Sequence, residues 1–435
     1  MKQFAIILLL LFVAFGTLFA GGNKEEKAPA VETQKQAAVE AEPPIKIVYL
    51  GGNDLREDGK EGVLARAIRL TQKKYPTLEV EHKMLNIGTG TTVSMDTLLA
   101  TNKAPDIYSD WMGRVSKYMV PEFTLPLDDI MDVSKFINVD ELKRNGKLIA
   151  IPSSGNAQGM MVNLDLLDKV GYPIPDNWTL DDFMEMAKMV KAYSDRTGEE
   201  VYATGLFAGN QSGDYLWMQW FSVFGVDLYN DDYSKSMEDE GGEEVWAFYK
   251  SLVDNGYAPA NAAVLVDDDY LFQACTGMIA ATAFYEPWTA HYFKTFTEQG
   301  IIDGAFNYKF VPFPNNAPAC GSNAGIIVNK NTEYPEVVAE ILKYMTDAYT
   351  FNTSIKEGTS LTYRSDTTAE NDNPRINEIS AAVVKNGMYD LGVSNPWFAE
   401  VRAEGYPVLQ KVLTGKLTPA QAAEAYADIV NDIIQ

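Results

Sequence analysis

The sequence predicts an α/β protein of two lobes with a ligand cleft between them, and three observations predict it. First, the folded part of the chain opens strand, helix, strand, over Ile45–Leu50, about Glu61–Tyr75 and Leu78–Glu81, the usual start of a parallel sheet. Second, Asn145–Asn163 reads as a chain leaving one lobe and entering another. Lys147–Ile151 is an apolar run of strand type, Pro152–Gly155 is loop chemistry where Ser and Gly permit bends, and Gly159–Asn163 resumes an extended run. The same stretch also suits two strands joined by a surface loop. Third, Phe310–Pro314 is extended and proline-punctuated, a second candidate passage between lobes with Pro312 at its centre.

Taken in order, residues 1–20 have the layout of a secretory signal peptide: a positive start at Lys2, the apolar run Phe4–Phe15, and small residues ending at Ala20. The run is too short to span a bilayer, and no second apolar segment of spanning length follows. Cleavage after Ala20 fits except for Leu18, where a smaller residue is usual; retention as an anchor is the alternative. Residues 21–44, rich in Glu, Lys, Ala and Gln, lack an apolar period and read as a flexible tether. After the first strand comes the loop Gly51–Asp54. A helix near Ser94–Thr101 is stopped by Pro105, and Ile107–Tyr108 forms a short strand with Asp110 and Trp111 at its C-terminal end, the edge where open α/β sheets bind ligands. A core position for Trp111 stays open.

Beyond the central stretch, Asn163–Gly171 is a short helix closed by Gly, and Thr179 caps the next helix with Asp182 three residues on. A strand is expected at Val201–Phe207 and another at Gly277–Ala281, with a helix over Gly241–Asn255 between them. Ser322–Val328 reads as a strand and Tyr334–Thr346 as a helix. Trp397 begins an amphipathic helix, and Thr418–Gln421 opens the last one as a capping box with Pro at the first helical position.

Composition narrows the function classes. The 435 residues, 46% hydrophobic and 11% aromatic, can bury a large core. The net charge of −24, one unit more negative once residues 1–20 are removed, repels phosphate backbones and anionic lipid heads, so neither nucleic acid nor a membrane surface is the expected partner. Cys275 and Cys320 could pair in an oxidising compartment or stay reduced; neither lies where a lipid could be attached at the end of the leader. The two histidines, His82 and His291, accompany no Gly-x-Ser-x-Gly, CxxC or HExxH, which disfavours acyl transfer and zinc catalysis. No phosphate-cradling or dinucleotide glycine motif occurs, so no cofactor, metal or catalytic residue is expected. The acid clusters Glu238–Glu240 and Asp267–Asp269 lack calcium-loop spacing and read as solvated turns. A pair of glycosidase carboxylates is not excluded by counting among 60 acids.

Aromatic residues recur beside amides and carboxylates at the ends of elements: Asp110 with Trp111, Asp214 with Trp217, Glu286 with Trp288, and Asn395 with Trp397. That combination suits a sugar, whose ring face packs on an indole while polar groups bond its hydroxyls. Each aromatic taken alone suits a core equally well.

The chain resembles the extracellular solute-binding proteins of ABC importers, in their sugar-binding group. The matching residues, in family order, are Ala104–Ile107, Asn145–Pro152, Asn163–Leu167 followed by Asn177–Thr179, Gly277–Ala281 with Pro287–Trp288, Cys320–Gly325, and Trp397 through Pro419. The resemblance implies the two-lobed type II periplasmic-binding-protein fold, with one lobe at about 45–153 plus 309–350 and the other at 154–308 plus 351–435. It implies ligand positions near Asn53, Asp54, Asp110, Trp111, Asn156, Asp214, Trp217, Glu286, Trp288, Ser322 and Trp397, and a hinge at Ser153, Ser154, Gly155 and Pro312. Val162 stands where the family commonly has Tyr, and the lipid-bearing Cys of many relatives is absent. The implied function is capture of a sugar or oligosaccharide by an exported, monomeric binding protein of the periplasm or cell exterior, which hands it to permease subunits. A polyamine or other small polar solute is the rival ligand, and a secreted carbohydrate-active enzyme the rival class.

Overall fold

Two separate apolar cores organise the chain, each built from strands and helices that bury one face. The structure, a computed structural model, describes residues 43–52, 54, 60–85, 95–101, 103–230, 232–238, 240–357 and 363–435, apart from the side chains of 214, 322, 323 and 384. The signal peptide, almost all of the tether and Asn53 therefore lie outside the described residues, as do the side chains of Asp214 and Ser322.

The first core starts with β1 (Ile45–Gly51), which buries Ile47 and Leu50 and runs parallel between β2 (Leu78–Met84) and β3 (Ile107–Trp111). Helix α1 (Val63–Thr71) covers the sheet because Leu64, Ala67 and Thr71 recur at helical spacing on one face. Short helices α2 (Met95–Ala100) and α3 (Met112–Val115) flank β3. A hairpin of β4 (Lys143–Arg144) and β5 (Lys147–Leu148) turns on Asn145 and Gly146, whose φ angles of 51° and 76° are the pair that an Asn-Gly turn supplies.

The chain then runs through β6 (Ile151–Ala157) into β7 (Gly159–Asn163) and the second core. There α4 (Leu164–Val170) begins on the Asn163 cap and ends on Gly171 at φ 81°. Helix α5 (Leu180–Thr197) begins on the capping box of Thr179 and Asp182. Helices α6 (Asp214–Phe224), α7 (Gly242–Asp254) and α8 (Asp267–Cys275) follow, then β8 (Ala281–Phe284), α9 (Glu286–Glu298) and β9 (Tyr308–Val311). Strands β8 and β9 pair antiparallel with β7 on either side. Strand β10 (Ala319–Val328) returns to the first core, where α10 (Pro335–Met345) and α11 (Ala348–Lys356) complete it. Helix α12 (Pro374–Asn386), β11 (Met388–Tyr389), α13 (Phe398–Leu413) and α14 (Pro419–Ile434) belong to the second body, α14 opening on the capping box of Thr418 and Gln421.

Where the chain passes between cores differs from expectation. Residues 152–155 are strand, not loop: β6 pairs antiparallel with β10, Gly155 opposite Asn323 and Pro152 opposite Gly325. Ile151 sits in the first core and Ala157 in the second, while β10 runs from Cys320 in the second to Ile326 in the first. Two paired strands thus cross together, with a register shift between Ala324 and Gly325 opposite Pro152, whose missing N–H such an irregularity accommodates. Pro312 lies on neither crossing. Phe310, Phe313 and Cys320 all belong to the second core, and the Pro312 carbonyl accepts a bond from Trp178 Nε1 at 2.8 Å, so the return passage lies later, in β10. The first core also extends past 350, since Phe351 and Tyr363 belong to it.

Two local readings change as well, and the open one on the cysteines is decided. Residues 201–207 make only a bridge at Tyr202, because Ala203 and Thr204 donate to the Tyr257 carbonyl instead of to a neighbouring strand. Glu238 is buried, not a solvated turn, and takes the Trp246 indole N–H. No disulfide joins Cys275 to Cys320, and burial pushes the Cys275 thiol up to about 12.

Candidate functional site

At the C-terminal ends of β1 and β3, against the paired strands that cross between cores, the structure holds a cavity of about 380 Å³. This is the edge at which parallel strands leave polar groups free for a ligand. Its wall is rich in hydroxyls, from Tyr49, Ser109, Ser153, Ser154, Thr350 and Ser354, beside the indole of Trp111. Burial pushes the Tyr49 phenol up to about 12, so it is a neutral hydroxyl at any physiological pH.

Among the described residues two carboxylates reach the cavity, Asp54 partly engaged and Asp110 fully. Asp54 accepts from the backbone N–H of Leu64 at 2.8 Å and of Ala65 at 2.7 Å, so it caps α1. Asp110 is 8% exposed and accepts four bonds: the Tyr108 hydroxyl at 3.0 Å, the Trp111 N–H at 2.6 Å, and Arg114 Nε and Nη2 at 2.6 Å each. A carboxylate has about four acceptor sites, so Asp110 holds α3 and Arg114 in place with none to spare.

Trp111 is one of the places where the two cores meet. It ends a strand of the first core, yet its Nε1 donates to the Tyr215 hydroxyl at 3.2 Å, and its ring packs edge-on against Phe398 at 5.9 Å. The guanidinium of Arg402, on α13, stands 4.7 Å from the same ring. Both alternatives for Trp111 therefore meet in one residue, partly buried and lining the cavity.

Of the other expected positions, Ser153 and Ser154 line the cavity, and Asn156 and Gly155 lie on the crossing strand β6, opposite Ser322 and Asn323. The backbone of Asp214 opens α6. The remaining aromatics separate. Trp217 is 1% exposed, ringed by Phe221, Trp246, Tyr249 and Tyr426, and is core. Trp397 packs on Tyr229 with ring centres 5.0 Å apart, just before α13. Trp288, on α9, is 53% exposed. Its neighbour Glu286 is buried: Oε1 accepts from Asn373 Nδ2 at 2.6 Å and from the Tyr308 hydroxyl at 3.1 Å, with Arg375 at 3.8 Å, and burial raises its carboxyl above the usual range against those bonds. Glu286 thus ties α12 to the second body.

Tyr49, Ser109, Thr350 and Ser354 are the hydroxyl-bearing wall residues that sequence reasoning passed over. A signal existed for the last pair: Asp347 is a good N-cap, and Thr350 and Ser354 stand one helical turn apart behind it. Among the described residues, no cluster of His, Cys, Asp and Glu is arranged to hold a metal, and no helix is long and apolar enough to cross a membrane.

Comparison with known proteins agrees with this architecture. A family model for bacterial extracellular solute-binding proteins matches residues 70–373. A protein of Brucella abortus described as a binding protein is 28% identical over 172 residues, covering 37% of this chain and 39% of its own length. The arabinooligosaccharide-binding protein of Halalkalibacterium halodurans is 25% identical over 195 residues, covering 43% and 39%. The match thus spans about two fifths of these curated relatives. Among solved structures, a chitin oligosaccharide binding protein superposes with a TM-score of 0.71 at 18% identity over 90% of this chain and 99% of its own. The GacH receptor of Streptomyces glaucescens gives 0.69 at 17% over 89% and 98%, and the sugar-binding protein MalE from Xanthomonas citri 0.68 at 16% over 90% and 97%. The fold is the two-lobed type II periplasmic-binding fold, and the chain belongs to the bacterial extracellular solute-binding protein family.

Proposed function

We propose that this protein is the exported binding component of an ABC importer: it captures a neutral sugar or oligosaccharide between its lobes and delivers it to membrane permease subunits. It acts as a monomer and without catalysis. The observation that carries this reading is the cavity beside the crossing strands, with hydroxyls and one indole on its wall and its two described carboxylates engaged by helix N–H groups and by Arg114. Hydroxyls that both donate and accept suit the hydroxyls of a sugar, and the indole suits its apolar ring face. A polyamine would need several bare carboxylates, whereas Asp110 is taken up by Arg114 and Asp54 already accepts two helix N–H groups, so the wall favours a neutral ligand over a multiply charged cation.

Capture works by differential binding. A ligand that touches both lobes stabilises the closed arrangement more than the open one, and the paired strands β6 and β10, with their register shift, are where the lobes pivot. The experiment is a thermal-shift screen of the exported chain against sugars, polyamines and amino acids, with chromatography of each mixture. Stabilisation by a sugar that is recovered intact is the expected result. Stabilisation by spermidine and by no sugar would overturn the ligand class, and conversion of the sugar to products would overturn the binding role.

A further inference from the structure

Besides β6 and β10, a further passage between the two bodies is built from side-chain amides. Tyr363 belongs to the first core and Ile379 to the second, so the chain passes over between them. Asn371 sits in the middle of that passage and is 6% exposed. Its Nδ2 donates to the carbonyls of Ile355 at 2.6 Å and Lys356 at 2.8 Å, at the C-terminal end of α11 in the first body. Carbonyls in the last turn of a helix lack the intrahelical partner four residues on, which leaves them free for such a donor. Asn352, also on α11, accepts from the N–H groups of Thr368 and Ala369 at 2.9 Å each and so holds the incoming chain along the same helix.

The outgoing side is held as closely. Asn371 Oδ1 accepts from the Asn373 N–H at 2.6 Å, and the Asn371 backbone exchanges two bonds with the Asn377 amide on α12, at 3.1 and 2.7 Å. Asn373 caps α12 through the Arg375 N–H at 3.0 Å and donates its Nδ2 to Glu286 Oε1 at 2.6 Å. Glu286 is the first residue of α9, in the second body, and is 1% exposed. A path of hydrogen bonds therefore runs from α11 through Asn371 and Asn373 to α9. Breaking a link would strand a buried polar group, and bonds of fixed length and angle do not slide as apolar contacts do, so the path holds as a unit. It bears on the cleft because α11 also presents Thr350 and Ser354 to the cavity.

We infer that Asn371 and Asn373 are positioning residues: they form a polar strap from α11 to Glu286 that limits how far the two bodies swing apart and holds the wall hydroxyls of Thr350 and Ser354 in place. The inference rests on the reading of the cavity as the ligand site. Neither amide lines that cavity, so the strap acts on affinity through the arrangement of the bodies. A wider spread of open arrangements lowers the fraction competent to close on a ligand.

The test uses Asn371→Asp, Asn373→Asp and the double variant. Each change replaces one donor NH2 by oxygen and keeps the acceptor that the Asn373 or Arg375 N–H needs. Spin labels on Glu79→Cys of β2 and Lys188→Cys of α5, both exposed, report the distance between the bodies, and Cys275 and Cys320 are buried away from the label. Calorimetric titration with maltotriose, arabinotriose and chitotriose reports affinity. Each single variant is expected to widen the distance distribution without sugar and to weaken binding of a sugar that wild type takes by on the order of tenfold. Because the links act in series, the double variant should be no worse than the weaker-binding single variant. An unchanged distance distribution would overturn the strap, and so would losses that multiply in the double variant, the mark of two independent structural roles. Hydrogen exchange of wild type covers the case in which the variants do not fold: the N–H groups of Thr368, Ala369, Asn371 and Asn373 should be protected, and fast exchange at them would overturn the strap. Widened distances in a chain that binds none of the three sugars would support the strap and count against the sugar reading, so the two can fail separately.

Discussion

Trp217 and Trp288 meet the sequence on equal terms, each an indole beside an acid at the start of a helix, and the fold separates them completely. Trp217 is enclosed by four other aromatics, so Trp217→Ala should cost ~3–5 kcal/mol in denaturant unfolding. Trp288→Ala should leave the unliganded midpoint within ~0.5 kcal/mol and abolish the shift that a bound sugar produces; a large loss without ligand would make Trp288 a core residue. Glu286 offers a pH test. Its folded carboxyl is raised by burial, so the folded chain holds a proton that the unfolded chain releases, and stability falls as pH rises from the ordinary glutamate value through the raised one. Glu286→Gln keeps an acceptor for Asn373 and Tyr308 and should flatten that fall in melting temperature; parallel pH profiles would contradict it. Which acids were engaged was not legible in the sequence, because only the fold brings Arg114, the Tyr108 hydroxyl and the Trp111 N–H around the same Asp110 carboxylate.

Elements whose signals are local were legible almost to the residue. The Thr179–Asp182 and Thr418–Gln421 boxes and the Gly171 stop stand where their chemistry places them, since a cap acts within one turn. The crossing strand was not, because Pro152–Gly155 has loop chemistry and becomes strand only through a partner about 170 residues later. That partner is close-fitting: a Cβ at Gly325 would run into the Met112 side chain, which is itself buried at the end of β3. Gly325→Ala should therefore lower stability by ~1–3 kcal/mol, and adding Met112→Ala should return part of that loss. Strictly additive costs in the double variant would show that the two do not touch.

At the scale of the whole molecule, two cores joined by paired strands make relative motion of the lobes the cheapest large movement, as neither core has to be opened. A sugar that raises the melting temperature should also reduce the radius of gyration in small-angle scattering, reporting closure. An unchanged radius at saturating sugar would count against the hinge at β6 and β10. The contact of Trp111 with Tyr215 and Phe398 already joins the bodies beside the cavity, so closure should leave it in place.

The sequence by itself determined the α/β class and the helix caps, because hydrophobic period, turn chemistry and capping act over a few residues, whereas the two lobes followed from the family resemblance. Only the tertiary structure decided that the crossing is a strand paired with β10, that the return lies past Pro312, that Asp54 caps a helix while Asp110 is taken up by Arg114, and which indoles stay outside. Those outcomes depend on neighbours brought in from distant parts of the chain, and whether a side chain is wall, core or surface is set by what packs against it.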